Sequence, residues 1–392
     1  MSELKKVYLD NAASTRVDDR VLEVMIPYFK EFYAVPSSEF SHSPGIQIKE
    51  AVENARESIA KKIGAQAEEI IFTSGGTESN NIAIKGGAYG QIDNGKHIVI
   101  SAIEHRSVLE SAKRLAKEGF ELTVVGVDEE GFIKIDELKK AIRKDTVLVS
   151  VQFVNHEVGT IQNIKEMVNM VKSINPKIIF HTDAAYATGW IDLNVKDLGV
   201  DLLTLTAHKM HGPKGVGALY IKKGVKITKF IDGGFSEFNL RGGTPNVPGI
   251  VGFAKAFEIL SKDTIEYVKG LRDKFYEKAL NEIEEVRLNG ARDFEKRHPN
   301  NLNLSFKYVE GESVVLYLDM KGISVITGSA CFSRTLEPSY ILMAMGYSHE
   351  DAHGSVRFTF SKFNTPEEID YTINVLKNVI DTLRRLSPLK GE

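Results

Sequence analysis

At 392 residues, with 42% hydrophobic and 26% charged side chains, the chain has room for one large globular domain and a smaller one, each with a core. A formal net charge of −3 offers no electrostatic reason to expect nucleic acid or an anionic membrane as partner. Residues 1–10 contain no long apolar core, and no stretch approaches the ~20 apolar residues of a spanning helix, so a cytoplasmic location is expected. Cys331 is the only cysteine, which rules out an intrachain disulfide and a cysteine-based metal site; no metal centre is expected.

In chain order, Ala51, Val52, Ala55, Ile59 and Ile63 recur at helical spacing and predict an amphipathic helix ending near Gly64. Short apolar runs at 70–72, 97–100, 122–125, 147–153, 178–180 and 202–205 predict strands. Helical patterns lie between several of them: Val108, Leu109, Ala112 and Leu115, then Ile164, Met167, Val168 and Val171. Such alternation predicts an α/β fold, a mostly parallel sheet flanked by helices, with ligands at the carboxyl ends of the strands. Beyond about residue 260 the texture changes. Ile265, Val268, Leu271 and Phe275 form a helical stripe whose charged neighbours read as a solvated face. The runs 301–306 and 356–360 alternate like half-buried strands, and Thr365, Pro366 and Glu368 form a capping box that opens a helix. This predicts a large domain over 15–258 and a smaller α+β domain from 1–14 and 259–392.

The unusual polar residues fall just past strand ends. Lys209 follows the run 202–205 before a turn through Gly212, Pro213 and Gly215. Burial at a strand mouth favours the neutral amine that forms a Schiff base. Asp183 follows the run 178–180, and a carboxylate beside a pyridine nitrogen keeps that ring protonated, which makes pyridoxal phosphate (PLP) an electron sink. Either residue alone reads more readily as an ordinary strand-end side chain; together, in this order, they favour PLP. The turn Thr73-Ser-Gly-Gly-Thr77 precedes a helical run, and its backbone N–H groups suit a phosphate, with Thr77 as a hydroxyl donor. It is neither a Walker A loop nor a dinucleotide fingerprint. His105 could lie on the cofactor ring and move a proton, Asn155 could bind the cofactor's phenolic oxygen, and Arg357 could fork onto a substrate carboxylate. Cys331 sits among small residues that read as a mobile loop with an accessible thiol.

The chain resembles the PLP-dependent cysteine desulfurases of the NifS/IscS type, within the class V aminotransferases of fold type I. The matching motifs run nearly end to end: Tyr8-Leu-Asp-Asn-Ala-Ala13, Thr73-Ser-Gly-Gly-Thr-Glu-Ser-Asn-Asn81, Glu104-His105, Asn155-x-Glu157-x-Gly159, His181-x-Asp183-Ala184, His208-Lys209, Arg241-Gly-Gly-Thr244, Gly328-Ser-Ala-Cys331 and Leu336-Glu-Pro-Ser-Tyr340. The resemblance implies that Lys209 anchors PLP and acts as base, with Asp183 at the pyridine nitrogen and His105 stacked on the ring. It implies that Asn155 serves the phenolic oxygen and the substrate, and that Gly76, Thr77, Thr206 and His208 hold the phosphate. Thr244 would come from the other subunit of a homodimer. Arg357 would bind the carboxylate of L-cysteine, and Cys331, on a mobile loop at about 327–338, would accept the sulfur. The implied products are L-alanine and a persulfide passed to an iron–sulfur scaffold or another sulfur acceptor. A selenocysteine lyase or another class V enzyme is the alternative; loss of PLP chemistry to leave a sulfur carrier is disfavoured by the presence of both Lys209 and Asp183. The chain departs from the family pattern at Tyr186, where glutamine is usual, at Ala34-Val-Pro-Ser-Ser38 and at Ser236. Tyr186 is expected near the phenolic oxygen.

Overall fold

The computed structural model describes residues 5–328 and 338–387. Its strands are β1 (Val7–Tyr8), β2 (Ile70–Thr73), β3 (His97–Ser101), β4 (Glu121–Val125), β5 (Thr146–Ser150), β6 (Ile179–Asp183), β7 (Leu202–Thr206), β8 (Gly217–Ile221), β9 (Val286–Asn289), β10 (Asn301–Phe306), β11 (Ile323–Ser324) and β12 (Ser355–Thr359). Seven of them form one sheet in the order β2-β8-β7-β6-β5-β3-β4. Its pairings are parallel from β7 through to β4, and β8 runs antiparallel to both its neighbours. β2 therefore points the same way as β7, and the carboxyl ends of every strand except β8 lie at one edge.

Except at the edge strand β4, which is only partly covered, the apolar runs become strands buried on both faces, as a parallel sheet between helices requires. The run 147–153 is cut short: the strand ends at Ser150, and the chain then turns over the sheet edge. The predicted helix starts earlier than its apolar stripe, at Ser43–Lys62, because His42 Nδ1 accepts from Gly45 N and Pro44 fits the first turn. Leu205 and Phe180 of the sheet share one core with Phe253 and Phe275 of the helices Val247–Ile259 and Lys262–Glu282.

A second, antiparallel sheet has the order β12-β10-β9. Its strands correct the half-buried expectation, since β10 and β12 are buried along their whole lengths. Leu302, Leu304 and Phe306 belong to the apolar core, whereas the alternate residues are polar and still covered. Asn301 and Asn303 each donate to the Glu157 carbonyl, and Ser305 donates to the Asp351 carbonyl. The alternation thus marks two buried faces of different polarity. The capping box at Thr365 forms as expected and opens the helix Pro366–Leu386. No helix among the described residues is long and apolar enough to cross a membrane.

Candidate active site

The segments that follow β2, β3, β5, β6 and β7 open onto one cavity of about 540 Å³. Its lining includes Gly76, Thr77, His105, Asp183, Tyr186, Thr206, His208, Lys209 and Arg357, drawn from positions far apart in the chain.

Lys209 lies in a turn clamped from three sides. Ala207 O accepts from Met210 N and Gly212 N at 3.1 and 3.0 Å. Thr15 Oγ1 donates to His208 O at 2.9 Å and accepts from His211 N at 2.8 Å, holding His211 at a left-handed φ of 65°. Trp190 Nε1 donates to the Lys209 carbonyl. The backbone is thereby fixed while Nζ reaches the cavity, 5.4 Å from the centroid of the Tyr186 ring.

Asp183 ends β6 and is buried, its Oδ1 accepting from Ala185 N and its Oδ2 from Asn80 Nδ2 at 2.8 Å. The same Asn80 amide donates to Ser107 Oγ, so the Ser107 hydroxyl proton points to His105 Nδ1 at 2.7 Å. Ser107 N also donates to that nitrogen, which assigns the His105 proton to Nε2. Burial holds the His105 pKa below its usual value, Asp183 opposes the shift, and Lys209 and Arg106 reinforce it. His208 is pushed down to about 4 by burial and then by Lys209, Lys214 and His105. Both imidazoles are neutral near pH 7.

The turn from β2 into the helix Gly76–Asn81 supplies the anion-binding end. Gly75 has a φ of 147°, and a Cβ on Gly217 would lie 2.7 Å from Gly75 Cα, so this turn packs flat against β8 only because both residues are glycine. Thr206 Oγ1, on the same cavity, is buried and has no hydrogen-bond partner among the described residues. An orphaned hydroxyl on the same cavity as a helix amino terminus fits an anionic group such as the phosphate of PLP.

Arg357, on β12, is only 7% exposed, unlike most arginines on strands. Nη2 donates to Asp10 Oδ1 at 2.7 Å and Nη1 to the His156 carbonyl at 2.9 Å. Nε is buried without a partner among the described residues.

Two expectations need correction. Asn155 does not line the cavity: its Oδ1 accepts from Glu157 N and Val158 N, and its Nδ2 donates to Ile103 O and Gln152 Oε1. All four hydrogen-bonding positions of the amide are used, leaving none for a ligand. The Tyr186 ring lines the cavity, but its hydroxyl points away from it, donating to Asn300 Oδ1 at 2.6 Å and accepting from Asn301 Nδ2. The ring stacks on His298 with centroids 4.1 Å apart. Thr244 is exposed and borders a different hollow, shared with Phe40 and Arg56. Cys331 lies outside the described residues. The residues that flank its segment, Gly328 and Ser339, both meet the buried Glu157: Ser339 Oγ donates to its carboxylate, and a Cβ on Gly328 would overlap Glu157 Oε1 at 2.0 Å.

Sequence reasoning missed Asn80, Gln152 and His156 on this cavity. Asn80 lies one helical turn beyond Gly76, a spacing that returns a side chain to the same face. Gln152 and His156 follow β5 as the other site residues follow their strands.

The model of the class-V aminotransferase family matches residues 7–372. The chain is 52% identical over 391 residues to "Cysteine desulfurase IscS" of Dictyoglomus turgidum, covering 99% of this chain and 98% of that one. It is 46% identical to "Cysteine desulfurase IscS 1" of Archaeoglobus fulgidus, covering 97% and 99%. Among solved structures it is similar to a "NifS-like protein", with a TM-score of 0.90 and 39% identity over 96% of this chain and 100% of that one.

Proposed function

This chain belongs to the class-V aminotransferase family, and we propose that it is a PLP-dependent cysteine desulfurase that converts L-cysteine to L-alanine and leaves the sulfur as a persulfide on Cys331. The observation that carries this reading is the meeting of Lys209, Asp183, Arg357 and the orphaned Thr206 hydroxyl on one cavity. Relatives named cysteine desulfurases match the chain over almost its whole length.

Bound PLP supplies an electron sink for negative charge at the substrate Cα. Lys209 would anchor the cofactor covalently until substrate arrives, and Asp183, oriented by Asn80 and Ala185 N, would keep its ring nitrogen protonated. Gly76, Thr77, Thr206 and His208 hold the phosphate, joined by Thr244 from a second copy of the chain. Phe40 and Phe235, 93% and 88% exposed beside Thr244, support such a homodimer. Arg357 holds the substrate carboxylate, its Nε still unpartnered. The Lys209 amine removes the Cα proton, and His105 exchanges protons through Nε2. The Cys331 thiolate attacks the substrate sulfur: an S–S bond forms and the Cβ–S bond breaks, its electron pair staying on Cβ, which is protonated to the methyl group, and Lys209 returns a proton to Cα to complete L-alanine. The persulfide then passes to an iron–sulfur scaffold or another sulfur acceptor in the cytosol. The large domain of this reading, 15–258, contains the whole seven-stranded sheet, and the small one contains β9, β10 and β12.

Incubation of the holoenzyme with L-cysteine, with alanine and sulfur measured with and without reductant, tests this reading. The expected result is one alanine per reducible sulfur atom; absence of alanine would overturn it.

A further inference from the structure

One buried amide stands between the two groups of the cavity that handle protons beside Lys209. Asn80 lies on the helix Gly76–Asn81 and Ser107 on the helix Arg106–Lys117, and both are buried. Asn80 Nδ2 donates to Asp183 Oδ2 and to Ser107 Oγ, both at 2.8 Å, and Ser107 Oγ lies 2.7 Å from His105 Nδ1. Segments at the ends of β2, β3 and β6 are thus joined through one side chain.

The direction of this chain of hydrogen bonds is fixed from one end. Asn80 Oδ1 is buried with no hydrogen-bond partner among the described residues, so the amide is not held by its oxygen. The carboxylate decides its orientation: an ionised Asp183 can only accept, and therefore takes the NH₂. The second proton of that NH₂ occupies a lone pair of Ser107 Oγ, and the serine gives its own proton to His105 Nδ1. Turned over, the amide would set its oxygen against a carboxylate and invite the Ser107 proton to itself, leaving Nδ1 without that donor. The charge of Asp183 is in this way read at a ring nitrogen three hydrogen bonds away.

A second donor reaches the same nitrogen. Ser107 N donates to His105 Nδ1 at 3.2 Å, which makes the imidazole the amino-terminal cap of a helix of 12 residues. A proton on Nδ1 would face an O–H, an N–H and the positive end of that helix. The charged and titratable groups around the ring are Arg106 on its own helix, Asp183 at the end of β6, His208 and Lys209 after β7, and His156 after β5. Glu104 and His181 are in turn titratable neighbours of Asp183. Asp183 favours a charged His105 ring; burial first, then Lys209 and Arg106, outweigh it. Nε2 makes no hydrogen bond among the described residues and is not among the buried orphan atoms, so it opens to the cavity.

We propose that Asn80 and Ser107 are positioning residues through which the Asp183 carboxylate sets the His105 proton on Nε2, so that the two groups are prepared for the reaction together rather than separately. The proposal rests on the desulfurase reading and adds no contact to the substrate: it makes one amide answerable for two groups on which turnover depends.

The test compares wild type, Ser107→Ala, Ser107→Thr and Asn80→Ala as PLP-loaded enzymes with nitrogen-15 in their histidines, the His105 signals being assigned by their loss in His105→Gln. Nitrogen shifts tell a protonated ring nitrogen from a bare one; they are followed against pH alongside cofactor absorbance and turnover of L-cysteine. Wild type is expected to show a bare Nδ1 and a protonated Nε2 near pH 7. Ser107→Ala removes one of the two donors at Nδ1, so the ring should take up its second proton at higher pH than in wild type. Its kcat should fall about tenfold with KM little changed, the scale of one hydrogen bond. Ser107→Thr, which keeps the hydroxyl, should restore both. Asn80→Ala should move the His105 titration likewise and also the pH dependence of cofactor absorbance, because Asp183 loses a donor; Ser107→Ala should leave that absorbance unmoved. A proton on Nδ1 in wild type would overturn the proposal. So would a Ser107→Ala enzyme that loses activity with its His105 titration unmoved, since a merely structural residue behaves that way. If Asn80→Ala does not fold, the wild-type shifts and the two serine variants still decide. If no alanine is released from L-cysteine, the desulfurase reading fails, and the nitrogen shifts still decide whether Ser107 and Asn80 set the His105 proton.

Discussion

Two buried polar neighbourhoods lie on either side of the segment 155–161, and they are built from the same kinds of residue. On the cavity side, Asn80, Ser107, Asp183, Gln152 and Asn155 pass hydrogen bonds to two histidines whose Nε2 atoms remain open. On the other side, Tyr186, Asn300 and His298 bond to one another and to backbone. Arg297, with no carboxylate partner among the described residues, donates to the carbonyls of Val158, Asn289 and Ala291. Asn289, Asn303 and Ser305 close a further group, and Asn301 Oδ1 is left over. Residue type does not separate these neighbourhoods. What separates them is where the hydrogen bonds end: in open space on the first side, in protein on the second. Substitutions should therefore cost activity in one and stability in the other.

The sharpest way to break this contrast is Lys209→Ala. Turnover should fall by ~10³-fold or more with the melting temperature little changed, as read by steady-state kinetics and calorimetry. A large loss of stability would erase the distinction. Arg297→Met should do the reverse. It strands the carbonyls of Val158, Asn289 and Ala291 and should cost about 3 kcal/mol in denaturant unfolding. Glu104→Gln sharpens the contrast through pH. Glu104 is buried behind the cavity, and burial first, with a contribution from Asp183, pushes its carboxyl up to about 8 from an ordinary 4.5. An acid whose folded pKa is raised contributes its stability below pH 4.5 and loses it as pH rises towards 8. The variant should thus match wild type near pH 4.5 and exceed it by about 4 kcal/mol at pH 8, measured as the difference between their unfolding curves. Tyr186→Phe should have the smallest effect, about 1 kcal/mol for the lost donor to Asn300. Because the hydroxyl points away from the cavity, absorbance–pH titrations of the two holoenzymes should coincide, contrary to the tuning role its place in the motif suggests.

Lys209, Asp183, His105 and Thr77 were legible because a parallel sheet writes itself as apolar runs, and the residue after each run lands at one edge. Asn155 and His156 were not separable this way. The strand ends at Ser150, earlier than its apolar run, and which side chain of the following loop faces the cavity depends on backbone donors that no pattern records. Arg357 was readable as a strand residue but not as a buried one, since its cover comes from the amino-terminal Asp10 and from the loop carrying His156. The alternation of β10 gave the strand and misjudged its surroundings: an asparagine facing buried carbonyls has the same one-letter pattern as one facing water.

The stitching of 157–161 to 289–301 also bears on the order in which a nascent chain becomes competent. His298 N donates to Gly159 O, Ile161 N to Lys296 O, and Ala291 N to Thr160 Oγ1. The strands of the large sheet are all translated by Ile221, and an emerging domain can begin to fold while synthesis continues. The loop that bears His156 and Glu157 must wait for partners made more than a hundred residues later, and Thr359 N, near the far end of the chain, is what finally ties down Leu9 O. A nascent chain that has emerged through the helix Val247–Ile259 would thus hold a scaffold whose cavity has its lysine and its aspartate but not its arginine, so competence to take substrate arrives only as translation nears completion.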